Sequence, residues 1–155
     1  MNTDTQRERI AFLVRVIAKE ADYLMITDAR LFDPVFTLEQ YNSLGTNIDL
    51  AERLDAFVSR FGRLQDSIGD KLLPALMAVA GEPKSPAIDN LEKAEQFGWL
   101  DSVDNWLTMR RLRNQMVHEY IEDSKVLLDA LNMAHEFVPL LVECSKRFIS
   151  EANRR

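Results

Sequence analysis

The sequence contains few of the residues that break helices or build covalent and metal cross-links. Its 155 residues include five glycines, five prolines, two histidines and one cysteine. Scarce breakers beside plentiful leucine, alanine, glutamate and arginine favour long helices over a turn-rich β fold. The single Cys144 excludes an internal disulfide and favours a reducing compartment. A zinc site with the usual ligands is disfavoured, and we expect neither a metal nor another cofactor.

Long apolar runs are also missing, and positive charge is in the minority. No stretch approaches the roughly eighteen apolar residues that span a membrane, and the polar start MNTDTQRERI lacks the apolar part of a signal peptide. We therefore expect a cytoplasmic protein with no membrane contact. The formal net charge is −6. An acidic chain repels phosphate on average, so that any nucleic-acid site must be local and basic.

The apolar residues, 46% of the chain, follow helical spacing over most of its length and are sufficient for one core. We predict an all-α, up-and-down four-helix bundle in a single domain, residues 1–155. The main helices are expected at about 5–28, 49–80, 102–121 and 124–152, with a short extra helix from Asn90 to Phe97. Pro139 is expected to bend the last of them.

The connecting segments contain several local signals. In the connector of residues 28–48, Thr37 and Gln40 are spaced for a capping box, and its aromatic residues suggest that it packs on the body.

Gly62 and Gly69, seven residues apart, lie on one flank of the second helix and either admit a neighbouring helix closely or are simply tolerated. Pro74 should kink that helix or begin a fresh turn.

The third main helix carries an arginine among its apolar residues. At about 100° per residue, its apolar side chains cover an arc of roughly 220°, and Arg113 falls near the middle with Arg110 nearer the edge. Burying an arginine is costly unless it is paired. Arg113 therefore either forms an ion pair, with Asp66 or Asp70, or extends to water, or binds an anion such as phosphate at a groove. So wide an arc also suggests burial against both the core and a partner.

Further polar groups follow Arg113 along the same helix. His118 lies about 140° round the helix and flanks the arc, while Tyr120 shares the face of Arg113. Asn114 is four residues before His118 and can reach it. Arg110, Arg111 and Arg113 also give the acidic chain a local basic patch. One helix end thus collects guanidinium, imidazole, amide and phenol groups. Taken alone, a histidine in this place is more often a surface or capping residue.

The segment RNQMVHEY, residues 113–120, resembles the signature of the HEPN superfamily, in which a histidine follows an arginine and a polar residue after a short spacer. The match comprises Arg113, Asn114 and His118. The His-x-Tyr ending, with Tyr120, is similar to the HepT-like toxins of HEPN/MNT toxin–antitoxin pairs. The preceding short helix and the four-helix layout also resemble the family, whereas the 28–48 connector has no counterpart there.

The resemblance implies a metal-independent endoribonuclease toxin, active as a homodimer whose two motif helices form one cleft for RNA. Arg113 and His118 would be catalytic, with Asn114, Tyr120 and Arg110 in support. The partner would be a nucleotidyltransferase-type antitoxin, and Tyr120 the residue that it modifies with AMP. Two alternatives stay open. One is a non-catalytic nucleotide-binding or substrate partner of a separate nucleotidyltransferase. The other is a scaffold in which Arg113 only closes a dimer ion pair.

Two residues outside the motif are assigned structural roles. His135 lies on the apolar stripe of the last helix and is interpreted as a hydrogen-bonded core or interface histidine. Cys144 is nine residues away on the opposite side of that helix, which excludes a local Cys-His dyad and favours a buried thiol. No glycine-rich phosphate loop or serine elbow is present.

Overall fold

The computed structural model describes residues 3–118 and 122–155, and within these ranges the chain is helical without any strand. The helices are α1 (Thr3–Leu31), α2 (Leu38–Asn42), α3 (Ile48–Asp66), α4 (Leu73–Val79), α5 (Ala87–Gln96), α6 (Val103–His118) and α7 (Ser124–Asn153). A π-helical turn, Ser67–Leu72, joins α3 to α4 without a break. No helix in the described ranges combines the length and apolar character needed to cross a membrane.

The long helices form because their apolar residues recur every three or four positions and share one buried face. On the helix formed by α3, the π turn and α4, these residues are inaccessible to solvent: Leu54, Phe57, Phe61, Leu64, Ile68, Leu72, Leu73 and Leu76. The matching stripe of α1 contains Ile10, Leu13, Ile17, Ala21 and Leu24, all buried. They belong to one continuous core that also includes residues of α6 and α7.

Four helical rods surround this core, each beside its neighbours in sequence. α1 packs against α3 and α7, and α6 packs against the same two helices. α1 and α3 run antiparallel, since Thr27 is bonded by Arg60 and Glu20 by Ser67. α3 and α6 are antiparallel too, because Asp66 meets Arg113 whereas Asp70, four residues later, meets the earlier Arg110. This is the predicted up-and-down bundle, with α5 as the short additional helix.

The local signals in the connecting segments are confirmed. Thr37 and Gln40 form the capping box of α2, and Phe32 and Phe36 are buried against the bundle. Asn132 of α7 both accepts from the Phe36 amide and donates to its carbonyl, at 2.9 and 3.0 Å. The connector is therefore fixed to the body by hydrogen bonds to its backbone as well as by aromatic packing.

Parts of the helices differ from the prediction. α1 continues to Leu31, three residues past the predicted end at 28. α5 begins at Ala87, three residues before the expected Asn90, because Pro86 has a φ of −57° that suits the residue preceding a helix. The second main helix is continuous, but its residues 67–72 form a π turn, and Pro74 stands in the first turn of the α-helical segment that follows it. The C-terminal end predicted for the third helix, at Ile121, lies outside the described residues.

Candidate functional site

Helix α6 presents one face to the core and another to solvent. Trp106, Met109, Leu112 and Met116 are buried. Leu107 and Val117, from the same predicted apolar arc, are 41% and 54% exposed. The first half of the expectation for this arc, burial against the core, is therefore met. The second half of the expectation, burial against a partner, concerns the exposed Leu107 and Val117. These two residues lie on the same side of α6 as Arg110 and Asn114.

Arg113 lies along a channel on α3 that only a glycine leaves open. A Cβ atom placed on Gly62 would stand 2.9 Å from Nε and 3.0 Å from Cγ of Arg113. The stem of the arginine thus runs directly over the α3 backbone, and its guanidinium donates from Nη2 to Oδ2 of Asp66 at 3.2 Å. Of the explanations for Arg113, the ion pair with Asp66 is the one observed. One third of the side chain is still exposed, so that an anion can approach it.

Arg110 repeats this arrangement one helical turn away. Its Nη2 lies 3.2 Å from Oδ2 of Asp70, and both side chains are partly exposed. The buried Gln65, next to Asp66 in sequence, donates from Nε2 to the carbonyl of Met109 at 3.1 Å. Two ion pairs and a buried amide therefore fix the register of α6 on α3. Exposed pairs of this kind contribute little to stability, about 0–1 kcal/mol each.

The π turn brings Gly69 next to α6. A Cβ on Gly69 would stand 2.8 Å from Cζ2 of Trp106, so the indole packs directly on the backbone there. Together with the Arg113 channel over Gly62, this confirms that the two glycines admit a neighbouring helix. Trp106 is 1% exposed, and its Nε1 finds no hydrogen-bond partner in the described part of the chain. Sequence reasoning did not identify this unsatisfied donor.

His118 is the last described residue of α6 and is exposed. It borders an open groove of about 520 Å³, whose other lining residues are Asp55, Val58, Ser59, Met116, Val117 and Glu122. Asn114 is also exposed, and within residues 3–118 no hydrogen bond joins it to His118. Tyr120 lies outside the described residues, so the predicted supporting role of this residue has no structural description.

The four predicted site residues that the structure describes, Arg110, Arg113, Asn114 and His118, share one helix without converging on a point. Arg110 and Arg113 are held by aspartates on the facing rod, while His118 and Asn114 face solvent. His118 is five residues beyond Arg113, which corresponds to about 7.5 Å along a helix axis. One copy of the chain therefore has a guanidinium, which can bind phosphate, and an imidazole, which can take part in acid–base chemistry, at separate positions along an open surface. The geometry can serve RNA cleavage only if a second surface completes a cleft.

His135 has the structural role that was predicted. Its Nδ1 lies 2.7 Å from Oδ1 of Asp28, and its ring stacks on Phe32 with centroids 4.3 Å apart. The pKa of the Asp28 carboxyl is raised, because the effect of burial exceeds the opposite effect of the contact with His135. The sequence offered no spacing signal for this pair, because 107 residues separate its members. Cys144 is buried, as expected, and its burial raises the pKa of the thiol to about 12.

The chain matches no protein-family model, no curated protein and no solved structure at a significant level. The likeness to HEPN proteins accordingly depends on residues 113–120 and on the helical layout. What the likeness implies for function is therefore a proposal.

Proposed function

We propose that this protein is a metal-independent endoribonuclease toxin of a toxin–antitoxin pair, which cleaves RNA in a cleft between two copies of α6. The observation that supports this most directly is the composition of the outer face of α6. Leu107 and Val117 are exposed on it, beside the partly exposed Arg113 and the exposed His118. An apolar surface that contains a phosphate ligand and an imidazole suits a dimer interface that is also a reaction site.

The exposed apolar residues suggest how two copies would pair. In a two-fold symmetric contact, residue i meets j and j meets i. If α6 packs antiparallel so that the exposed Val117 of one copy meets Asn114 of the other, the symmetry axis passes between residues 115 and 116. Each Arg113 then lies opposite the His118 of the other helix, and the two His118 residues are about 7.5 Å apart along the helix axes. Two arginines and two imidazoles would border one cleft.

In this dimer, Asp66 would weaken the repulsion between the two copies of Arg113. Two guanidinium groups facing each other across an axis repel, and the repulsion weakens when each has its own carboxylate. The Arg113–Asp66 pair is one-third exposed on both sides, so that a phosphate can displace or share the guanidinium. The carboxylate keeps the side chain extended over Gly62 until RNA arrives.

The reaction itself needs no metal, because RNA carries its own nucleophile. One imidazole of His118 takes the proton of a 2′-hydroxyl, and that oxygen attacks the adjacent phosphorus. The bond from phosphorus to the 5′-oxygen breaks, and the second imidazole, in its protonated form, gives this oxygen a proton. The products are a 2′,3′-cyclic phosphate and a 5′-hydroxyl. The two copies of Arg113 stabilise the charge on the phosphorane.

The resemblance also supplies a mode of control. A nucleotidyltransferase-type antitoxin would attach AMP to Tyr120, two residues beyond His118. The added phosphate carries negative charge and the nucleoside carries bulk. Both would occupy the cleft, where the phosphate competes with RNA for Arg113.

The decisive test is RNA cleavage by purified protein in EDTA, with the product ends identified. We expect cleavage to give 2′,3′-cyclic phosphate ends, and we expect Arg113→Ala and His118→Ala to abolish both cleavage and growth arrest. The matched control is Arg9→Ala, which removes an exposed arginine of α1 and should change neither. Undiminished cleavage by the His118 or Arg113 variant would contradict the proposal, as would a monomer in sedimentation at the assay concentration.

A non-catalytic nucleotide-binding partner of a separate nucleotidyltransferase is the second candidate. It is favoured by the carboxylate partners that both arginines have within the chain, at 3.2 Å, which satisfy their charge without any reaction. This candidate predicts saturable binding of AMP or ATP with no RNA cleavage at high protein concentration. The cleavage assay and a nucleotide titration therefore separate the two candidates.

A further inference from the structure

A groove runs along the bundle where α5 and the 81–86 linker cross over the π turn, α4 and α6. We call it the α5–α6 groove. It consists of two adjoining cavities, of about 430 Å³ and about 210 Å³, which share Gly69, Asp70 and Ala87. The larger one lies within the range of roughly 300–1,000 Å³ that is typical of ligand pockets.

The walls of the α5–α6 groove are mainly apolar. Pro74 and Met77 line the larger cavity, and Leu91 and Trp106 line the smaller one. Ile88 of α5 and Leu107 of α6, which also line the smaller cavity, are 42% and 41% exposed. Two apolar side chains from different helices thus flank its mouth, an arrangement that suits a flat apolar group.

Two buried polar atoms in these walls are unsatisfied. Oδ1 of Asn90 and Nε1 of Trp106 have no hydrogen-bond partner among the described residues, and both residues are buried. Leaving such a group unpaired destabilises the folded state, so that a ligand which supplies the missing partner is favoured. One atom is an acceptor and the other a donor. Both residues border the α5–α6 groove, Asn90 in the larger cavity and Trp106 in the smaller.

A positive charge stands at the edge of the same groove. Arg110 lines the smaller cavity, and its guanidinium is partly exposed beside Asp70. A guanidinium in this position can bind a phosphate through two parallel hydrogen bonds, since the pair with Asp70 is open to water and correspondingly weak. Apolar walls, an unpaired donor, an unpaired acceptor and a cation therefore adjoin one another.

We propose that the α5–α6 groove binds a nucleotide, with the base between the apolar walls and its phosphate on Arg110. The buried Oδ1 of Asn90 and Nε1 of Trp106 gain partners at the edge of the base when these side chains turn towards the groove, because each nucleobase offers hydrogen-bonding groups there. The nucleotide is either an unpaired residue of bound RNA or a free mononucleotide. In the first case the inference depends on the proposed ribonuclease function, and the groove selects the base near the cleaved bond.

Trp106 provides a direct reporter for this site. The chain has two tryptophans, so Trp99→Phe leaves Trp106 as the only one. In that background we would titrate AMP, GMP, CMP and UMP, with ribose 5-phosphate and inorganic phosphate as probes that lack a base. We expect a saturable change in Trp106 fluorescence with at least one mononucleotide. Binding of the probes without a base should be at least about tenfold weaker, since the base contacts are lost.

Two variants test the contacts independently. Arg110→Met keeps the aliphatic stem and removes the charge, and Asn90→Ala removes the acceptor. Each should weaken nucleotide binding by about tenfold. Asn105→Ala, at an exposed asparagine of α6, is the matched control and should have no effect. Circular dichroism checks folding, and the surface variant Arg110→Met stays informative if Asn90→Ala unfolds.

The outcomes separate this inference from the ribonuclease proposal. Mononucleotide binding without RNA cleavage retains the groove as a free-nucleotide site and contradicts the ribonuclease. If only a 2′-O-methyl oligoribonucleotide changes the fluorescence, the groove binds RNA. The inference is overturned if no mononucleotide or oligonucleotide gives a saturable change, if ribose 5-phosphate binds equally well, or if both variants bind as tightly as the parent.

Discussion

The contact between Gly69 and Trp106 gives a sharp prediction about the packing of α6 on the π turn. In Gly69→Ala the new Cβ would stand 2.8 Å from Cζ2 of an indole that is 1% exposed. A rigid, buried ring cannot move aside cheaply, and overpacking of this kind costs about 1–3 kcal/mol. The higher helix propensity of alanine than of glycine offsets about 1 kcal/mol of this destabilisation. We expect a net loss of about 1 kcal/mol, or about 2–4 °C in Tm for a chain of this length.

Two other glycines serve as matched comparisons. In Gly62→Ala the Cβ meets the stem of Arg113, which is flexible, so the side chain should shift away from Asp66 with little change in Tm. Gly45 has nothing within 4 Å of its Cβ position and lacks a positive φ, so Gly45→Ala should be neutral or stabilising by up to about 1 kcal/mol. Of these two variants, only Gly62→Ala should lose RNA cleavage.

Thermal and guanidinium unfolding, followed by circular dichroism, measure these differences. Trp106→Phe removes the Cζ2 atom, so in that background Gly69→Ala should cost less, and the double-mutant cycle should give a coupling energy different from zero. The packing argument is refuted if Gly69→Ala is as stable as Gly45→Ala, or if Gly69→Ala costs as much in the Trp106→Phe background as in the wild type.

Three further predictions concern individual side chains. Burial raises the pKa of Glu20, above its ordinary 4.5, despite the hydrogen bond from Ser67. The folded state then holds this proton more tightly, so the unfolding free energy of wild type should fall relative to Glu20→Gln as pH rises above about 4.5, and this difference should level off below it. Cys144, with its thiol pKa raised to about 12, should resist iodoacetamide at about pH 8 until the protein is unfolded, as mass spectrometry would show. Asp66→Asn should reduce stability by less than about 1 kcal/mol in guanidinium unfolding, because its pair with Arg113 is one-third exposed.

The helices of the bundle could be predicted because their core positions repeat with helical spacing. Leu54, Phe57, Phe61 and Leu64 are spaced by three and four residues, and all are inaccessible to solvent. The π turn was not predicted, since its one extra residue changes the apolar spacing only slightly, to the successive steps of four between Leu64, Ile68, Leu72 and Leu76. It is held by contacts distant in sequence, including that of Ser67 with Glu20.

The candidate site was predictable to a similar extent. An arginine in an apolar arc requires a charged or hydrogen-bonding partner, and the sequence offered Asp66 and Asp70 as candidate ion-pair partners of Arg113. The choice between them depends on the register of α6 against α3, which the glycine contacts and Gln65 determine. The groove beside α5 was not predicted, because it is built from side chains of several separate segments.

The ion pairs on α6 bear on how a site with so few charges could bind RNA in an acidic protein. Asp66 and Asp70 neutralise Arg113 and Arg110 in the free chain, so the outer face of α6 has little net positive charge from them. Such a face can pack against its own copy without strong repulsion. In the proposed cleft, an RNA phosphate would take the place of the Asp66 carboxylate beside Arg113, so that binding would need no broad basic surface. Non-specific RNA should consequently bind weakly and with a shallow salt dependence, since only one or two phosphates are contacted. A steep dependence, with a slope typical of many phosphate contacts, would show that the RNA lies on some other face of the bundle.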